Sequence, residues 1–192
     1  LAAVLSIEQV AGLMLFSSHE RNLAAGLTTA QRTYLSQDRL RNVLNASAND
    51  VTANVTWTNA AQAYAESLAT AAEPYIPVNI SSDPRSTAGS DTPYNAAGAD
   101  ISRWPSNIGL AATFSGDAML KFAKITSQEY RAMGITTALG PQIDLATEPR
   151  WLRVDGTFGE NVDLATTMAT NYVEGSQNTY DANGTSVGWG GD

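Results

Sequence analysis

Apolar positions along the chain change period several times, and each change predicts an element. Ser6, followed by Ile7, Val10, Met14 and Leu15, predicts a short helix capped by the serine, with Glu8 in its first turn. Residues 40–44, LRNVL, read as a short strand, and the alanine-rich run 57–72 as a helix with no glycine or proline before Pro74. The compact run IPVNI, residues 76–80, predicts a strand ended by SSDPR. Residues 84–107 are rich in Ser, Thr, Pro, Asn and Gly and predict a long irregular connection, which in compact domains is usually functional or disordered.

The second half repeats the alternation. Ser115 caps a predicted helix whose Met119, Phe122, Ala123, Tyr130 and Met133 recur near a 3.6 period until Gly134 stops it. ITTALGPQIDLA, residues 135–146, supplies a buried strand, and Leu164, Met168, Tyr172 and Val173 mark a last amphipathic helix closed by Gly175. Strand, helix, strand, loop, helix, strand, loop, helix is the order of successive βα units around a parallel sheet. About three such units fit into 192 residues, whereas a closed eight-stranded barrel takes roughly 250. The fold class predicted is therefore α/β, and a barrel of this kind would be incomplete.

Composition narrows the chemistry. The 43% hydrophobic content can build a core, and the net charge of −8 comes from scattered acids with no basic patch, which argues against nucleic acid as a partner. No apolar run approaches the roughly 20 residues of a membrane span. The first sixteen residues carry Glu8 and no basic region, unlike a retained signal peptide, while GTSVGWGGD closes no element and suggests a piece of something longer. The absence of cysteine removes thiolate catalysis and cysteine-ligated zinc. His19 is the only histidine, so neither a histidine metal cluster nor a Ser-His triad can be assembled, and no phosphate-loop motif occurs. Nucleotide binding therefore has little support. Asn-x-Ser/Thr sequons at Asn45, Asn54, Asn79 and Asn183 would accept glycans only on an accessible surface along a secretory route.

Two polar clusters fall where parallel α/β folds place ligands, just after strands. One is Asp83 after IPVNI, where an ordinary Asp-Pro turn is the competing explanation. The other is TEPRWLRVDGTFGE, residues 147–160, which concentrates charge in a sparsely charged chain. Arg150 and Arg153 offer fixed guanidinium forks suited to carboxylates or vicinal hydroxyls, unless each merely pairs with Glu148, Asp155 or Glu160. Asp144 and Glu148 read as partners of those arginines; spacing in a loop does not make them an acid/base pair.

Three strings then occur in a telling order: RWPSNIGLAATF, TSQEYRAMGITTALGPQIDLATEPRW and RVDGTFGENVDLA. They resemble the amino-terminal barrel domain of glycoside hydrolase family 3, the β-glucosidase and β-xylosidase family, over most of residues 5–178. The resemblance implies a TIM-type (β/α)8 barrel of which residues 1–192 are the amino-terminal portion, without the later α/β sandwich domain. It implies an exo-acting retaining hydrolase of terminal non-reducing β-glycosidic bonds, glucosidic first and xylosidic next, with no cofactor, acting on a β-glucoside or β-xyloside substrate. Secretion, or periplasmic location in a bacterium, follows from the same resemblance.

By position in the family pattern, Asp83 and Arg153 would grip the non-reducing-end sugar, while Arg150, Trp151 and Glu160 would brace the loop. Glu148 stands where aspartate is commoner before PRW, and Leu152 where glycine is usual. The family's Lys-His pair, aspartate nucleophile and acid/base carboxylate have no counterpart here, so no catalytic group is expected in this chain. The remainder of the same enzyme would be its partner, covering an otherwise unpaired sheet edge. The competing reading is a non-catalytic carbohydrate-binding module on the same fold.

Overall fold

The computed structural model describes residues 4–18, 26–46, 50–83, 86 and 100–189. His19, the Pro84–Arg85 pair and most of the 84–107 connection lie outside these residues, as does the end of GTSVGWGGD. The chain divides into two compact units, the first made of residues 1–84, 91–101 and 131–139, the second of 85–90, 102–130 and 140–192.

In the first unit four parallel strands, β1 (Phe16–Ser18), β2 (Asn42–Leu44), β3 (Asn79–Ser82) and β4 (Thr137–Ala138), lie side by side in chain order. Phe16 registers with Asn42 and Asn42 with Asn79, and Ser81 registers with Thr137. Each neighbour is reached through helix: α2 (Thr29–Ser36) and α3 (Val51–Ser67) make the first two crossovers. Parallel strands require such connections. The Ser6 cap is present, with the full reciprocal capping box to Gln9, on α1 (Ile7–Gly12).

The face of α1 is the reverse of the expected one. Gln9 and Gly12 are buried while Ile7 is 81% exposed, and Met14 and Leu15 lie beyond the helix. The cause is Gly12, which sits so close to the Arg39 carbonyl oxygen that a Cβ would come within 2.3 Å of it. Only the glycine face can approach.

Both β1 and α2 escape the periodicity reading. β1 is three residues long, and α2 buries only Gln31 and Leu35, a single polar-apolar pair. Gln31 nevertheless organises the unit, since its Oε1 accepts from the Thr28 amide and from Trp57 Nε1, both at 3.0 Å. Trp57, Leu35, Val43, Ile80 and Ala61 form the fully buried centre. α3 begins earlier than expected because Asp50 caps it, accepting from the Ala53 amide at 2.7 Å, and it ends sooner, at Ser67. β3 runs past IPVNI into buried Ser81 and Ser82, the two residues that register with β4.

The second unit packs α4 (Asn107–Ala111), most of α5 (Gly116–Ala132) and α6 (Val162–Gln177) about Leu110, Met119, Phe122, Phe158, Met168 and Tyr172. Ser115 caps α5 as expected, accepting from the Ala118 amide at 3.2 Å. Gly134 stops that helix with φ +77, a conformation glycine adopts without strain.

Gly175 does not stop α6. It lies inside the helix, buried, where a Cβ would come within 2.6 Å of Ala123 Cβ and 2.9 Å of the Leu120 carbonyl oxygen. Its role is close approach of α6 to α5. Beyond α6 an antiparallel hairpin, β5 (Asn178–Tyr180) and β6 (Ser186–Trp189), closes the described chain, held to α5 by Lys124 Nζ, 3.7 Å from the Tyr180 ring centre.

Candidate functional site

Asp83 follows directly on the last residue of β3 and is half-buried. It belongs to the first unit. The charged loop of residues 140–161 belongs to the second. Of the twelve residues expected as strand at 135–146, only Thr137 and Ala138 pair; Ile135 and Thr136 lead into them, and residues 140–146 open the loop.

The loop is a framed structure rather than a floppy one. Phe158 and Thr157 are buried, so its far end is anchored in the core of the second unit. A short 3-10 turn, Val154–Gly156, is tied back by the Thr157 hydroxyl, which donates to the Val154 carbonyl at 2.8 Å. The Ala146 amide donates to the Gly159 carbonyl at 3.0 Å and draws the two limbs together. Gly159 turns the chain at φ +98, which a side chain would oppose. A third tie comes from α4, where Asn107 Nδ2 donates to the Gly156 carbonyl at 3.0 Å.

On this frame the charged side chains face outward. Glu148 and Arg150 form a two-pronged ion pair, with Arg150 Nε and Nη2 each 2.8 Å from a carboxylate oxygen and the Arg150 amide 2.9 Å from Oε1. Those donors hold the exposed Glu148 carboxyl down to about 2, and the carboxylate in turn raises the Arg150 guanidinium. For Arg150 the simpler of the two readings therefore holds: it fixes the turn.

Arg153 differs. It stands at the start of the 3-10 turn, exposed, and among the described residues its guanidinium has no ion-pair or hydrogen-bond partner. Neither Asp155 nor Glu160 engages it. Asp144 is likewise exposed and pairs with neither arginine, so the expectation that it partners them is corrected; the loop holds it at the surface instead. Trp151 is 36% exposed and Leu152 95%, presenting an apolar edge beside the free arginine. Among the described residues no group of three acidic or histidine side chains could hold a metal ion.

Two of the sequons are corrected by the fold. Asn45 and Asn54 are fully buried and bonded to one another, Asn45 Nδ2 to Asn54 Oδ1 at 2.9 Å, which leaves no room for a glycan. Asn79 lies in β3, donating to Asn42 Oδ1 and accepting from the Thr137 hydroxyl. Asn183 alone of the four is exposed, in the hairpin turn.

Sequence reasoning missed a polar knot behind the loop. Glu129 of the QEYRA string receives the Ser102 amide at 3.0 Å and its hydroxyl at 2.7 Å, and Trp104 Nε1 donates to that hydroxyl at 2.8 Å. Trp104 then meets Phe122 edge to face, with ring centres 5.4 Å apart. Two separate strings are thus joined by one carboxylate; their co-occurrence was the only signal available without the fold.

Comparison with known proteins follows the same lines. The model of the glycosyl hydrolase family 3 N-terminal domain matches residues 1–187. A periplasmic beta-glucosidase/beta-xylosidase of Dickeya chrysanthemi is 50% identical over 113 residues, 59% of this chain and 17% of that protein. Beta-glucosidase C of Emericella nidulans is 41% identical over 102 residues, 53% of this chain and 16% of its own length. The chain thus spans about one sixth of these relatives. In structure, a family 3 beta-N-acetylglucosaminidase from Paenibacillus superposes on 90% of this chain and 31% of its own, with TM-score 0.75 at 17% identity, a likeness of fold. The chain belongs to glycoside hydrolase family 3, matching its N-terminal domain.

Proposed function

We propose that this chain supplies part of the sugar-binding subsite of a β-glycosidase that hydrolyses terminal non-reducing β-D-glucosidic bonds, with β-xylosidic bonds as the next preference. The observation that carries the reading is Arg153: a permanently charged fork, unpaired among the described residues, displayed on an anchored loop in a family 3 chain. Asp83 is proposed as a second sugar-binding residue, its carboxylate accepting hydrogen bonds from sugar hydroxyls as the Arg153 guanidinium donates to their oxygens. A carboxylate accepts and a guanidinium only donates, so each is chemically suited to the hydroxyls of a sugar. Glu148, Arg150 and Trp151 brace Arg153; Glu160 and Asp144 shape the loop rim.

In the reaction proposed, an aspartate attacks the anomeric carbon and a second carboxyl protonates the departing oxygen, then activates water, giving retention. Both groups would come from outside residues 1–192. The four-stranded parallel sheet is proposed as an arc of a (β/α)8 barrel. Supporting this, β1 and β4 each have one strand neighbour among the described residues, and Phe16 of β1 is 67% exposed. Export to the periplasm or outside the cell is supported by relatives named as periplasmic.

The test is to offer the protein carrying this chain aryl β-glucoside and aryl β-xyloside side by side and follow the anomer released by NMR. Hydrolysis with the β-anomer formed first supports the reading. Inversion, or binding without turnover, contradicts it and favours the sugar-binding module.

A further inference from the structure

Far from the charged loop in sequence, the first unit contains a small polar cavity of about 20 Å³, lined by Gln9, Leu35, Arg39, Arg41, Glu73 and Pro74 among others. That is room for a single water-sized guest. Its charges do not balance. Arg39 pairs with Glu73 at 3.2 Å, but Arg41, only 5% exposed, has no carboxylate of its own among the described residues and is bonded to the carbonyls of Leu35, Leu40 and Ile76. Two guanidiniums therefore face one carboxylate. Burial is the main cause that lowers the pKa of Arg41; Tyr75 and Glu73 oppose it, and the neighbouring Arg39 adds to it. Carbonyl oxygens satisfy the Arg41 donors but not its charge, and one carboxylate shared by two guanidiniums leaves a net positive charge in a largely buried setting, which is costly.

Donors are also left over. Arg39 Nε is buried with no hydrogen-bond partner, although Nη1 reaches the Gln37 carbonyl and Nη2 the Glu73 carboxylate. Among the described residues Arg39 is also one of two non-glycine residues with positive φ, at 49, a conformation that costs roughly 1–2 kcal/mol and persists only where surroundings enforce it. The arginine pair is 31% exposed at Arg39, so a small ion can enter from solvent. We propose that this cavity is a binding site for one monatomic anion of the halide class, held by Arg39 Nε–H and the surplus charge of Arg41. Guanidiniums donate and never accept, which favours a guest that is all acceptor. The ion would join the end of α2, the start of β2 and the Glu73–Pro74 turn, and so stabilise the fold.

The experiment uses the protein carrying this chain. Crystals soaked in sodium bromide should show an anomalous peak beside Arg39 Nε, and chloride should raise Tm by about 2–4 °C over sodium gluconate at equal ionic strength. Arg39→Lys, which keeps the charge opposite Glu73 but lacks an Nε–H, should abolish both the peak and the chloride-specific shift. A water in the cavity with no bromide peak overturns the proposal. So does a peak without any halide-specific change in Tm, which marks an adventitious ion only.

Discussion

Asn107, in the first turn of α4, donates from Nδ2 to the carbonyl of Gly156 at 3.0 Å, and so fastens the loop that carries Arg153 to a helix. The bond joins the NIGLAAT string to the RVDGTFGE string. Removing it should loosen the 3-10 turn on which Arg153 stands. Asn107→Ala is expected to cost about 1 kcal/mol of stability. It should lower kcat/KM on an aryl β-glucoside up to about 100-fold, because small displacements of a binding group are expensive in rate. Melting curves and steady-state kinetics check both; unchanged kinetics at unchanged stability would show that the tie positions nothing.

Gly175→Ala separates two readings of one glycine by sign. As a mere helix residue, alanine would be favoured by roughly 1 kcal/mol. With Leu120 carbonyl and Ala123 Cβ inside contact range, the added methyl must push α6 from α5, and overpacking of this kind costs about 1–3 kcal/mol or more. Net destabilisation in urea unfolding is expected, and a stabilised variant would refute the close approach.

The Glu148–Arg150 pair makes a pH prediction. Glu148 is lowered when folded, so what the pair adds to stability is present above the ordinary glutamate pKa and is lost as pH falls through about 2. Because both groups are fully exposed, screening keeps that contribution small. An NMR titration should find the Glu148 carboxyl ionised through pH 3, and Arg150→Gln should raise its pKa only part of the way toward the usual range, because the residue-150 amide still donates to Oε1. Global unfolding near pH 4 should be the same in both proteins.

Glycosylation is similarly decided by burial. Made in a eukaryotic secretory host, the protein should carry glycan at Asn183 and none at Asn45 or Asn54, which peptide mapping by mass spectrometry reads directly. Glycan at Asn45 in folded material would contradict the buried Asn45–Asn54 bond.

How much of this was legible beforehand depended on the kind of signal. Local chemistry read well: the Ser6 and Ser115 caps and the Gly134 stop are set by residues within a turn of one another. Glycines used for close approach did not, since Gly12 and Gly175 have meaning only against Arg39 and Leu120, which are distant in sequence. α2 was invisible because its key residue is Gln31, a polar side chain buried by two specific hydrogen bonds rather than by hydrophobicity. In the charged loop, the Arg150–Glu148 pairing was anticipated as one of several possibilities. That Arg153 stays unpaired among the described residues while Asp144 joins neither arginine required the fold, because a loop has no period to read.

The central claim is that Asp83 and Arg153 belong to a sugar grip, and the most direct measurement is kcat/KM of Asp83→Ala in the protein carrying this chain, on an aryl β-glucoside. Hydrogen bonds to sugar hydroxyls strengthen toward the oxocarbenium-like transition state. A loss of about 100- to 1,000-fold is therefore expected, with Tm within a few degrees of the parent. Turnover within about twofold of the parent, in a protein that melts normally, would remove Asp83 from the site and with it the account given for this chain.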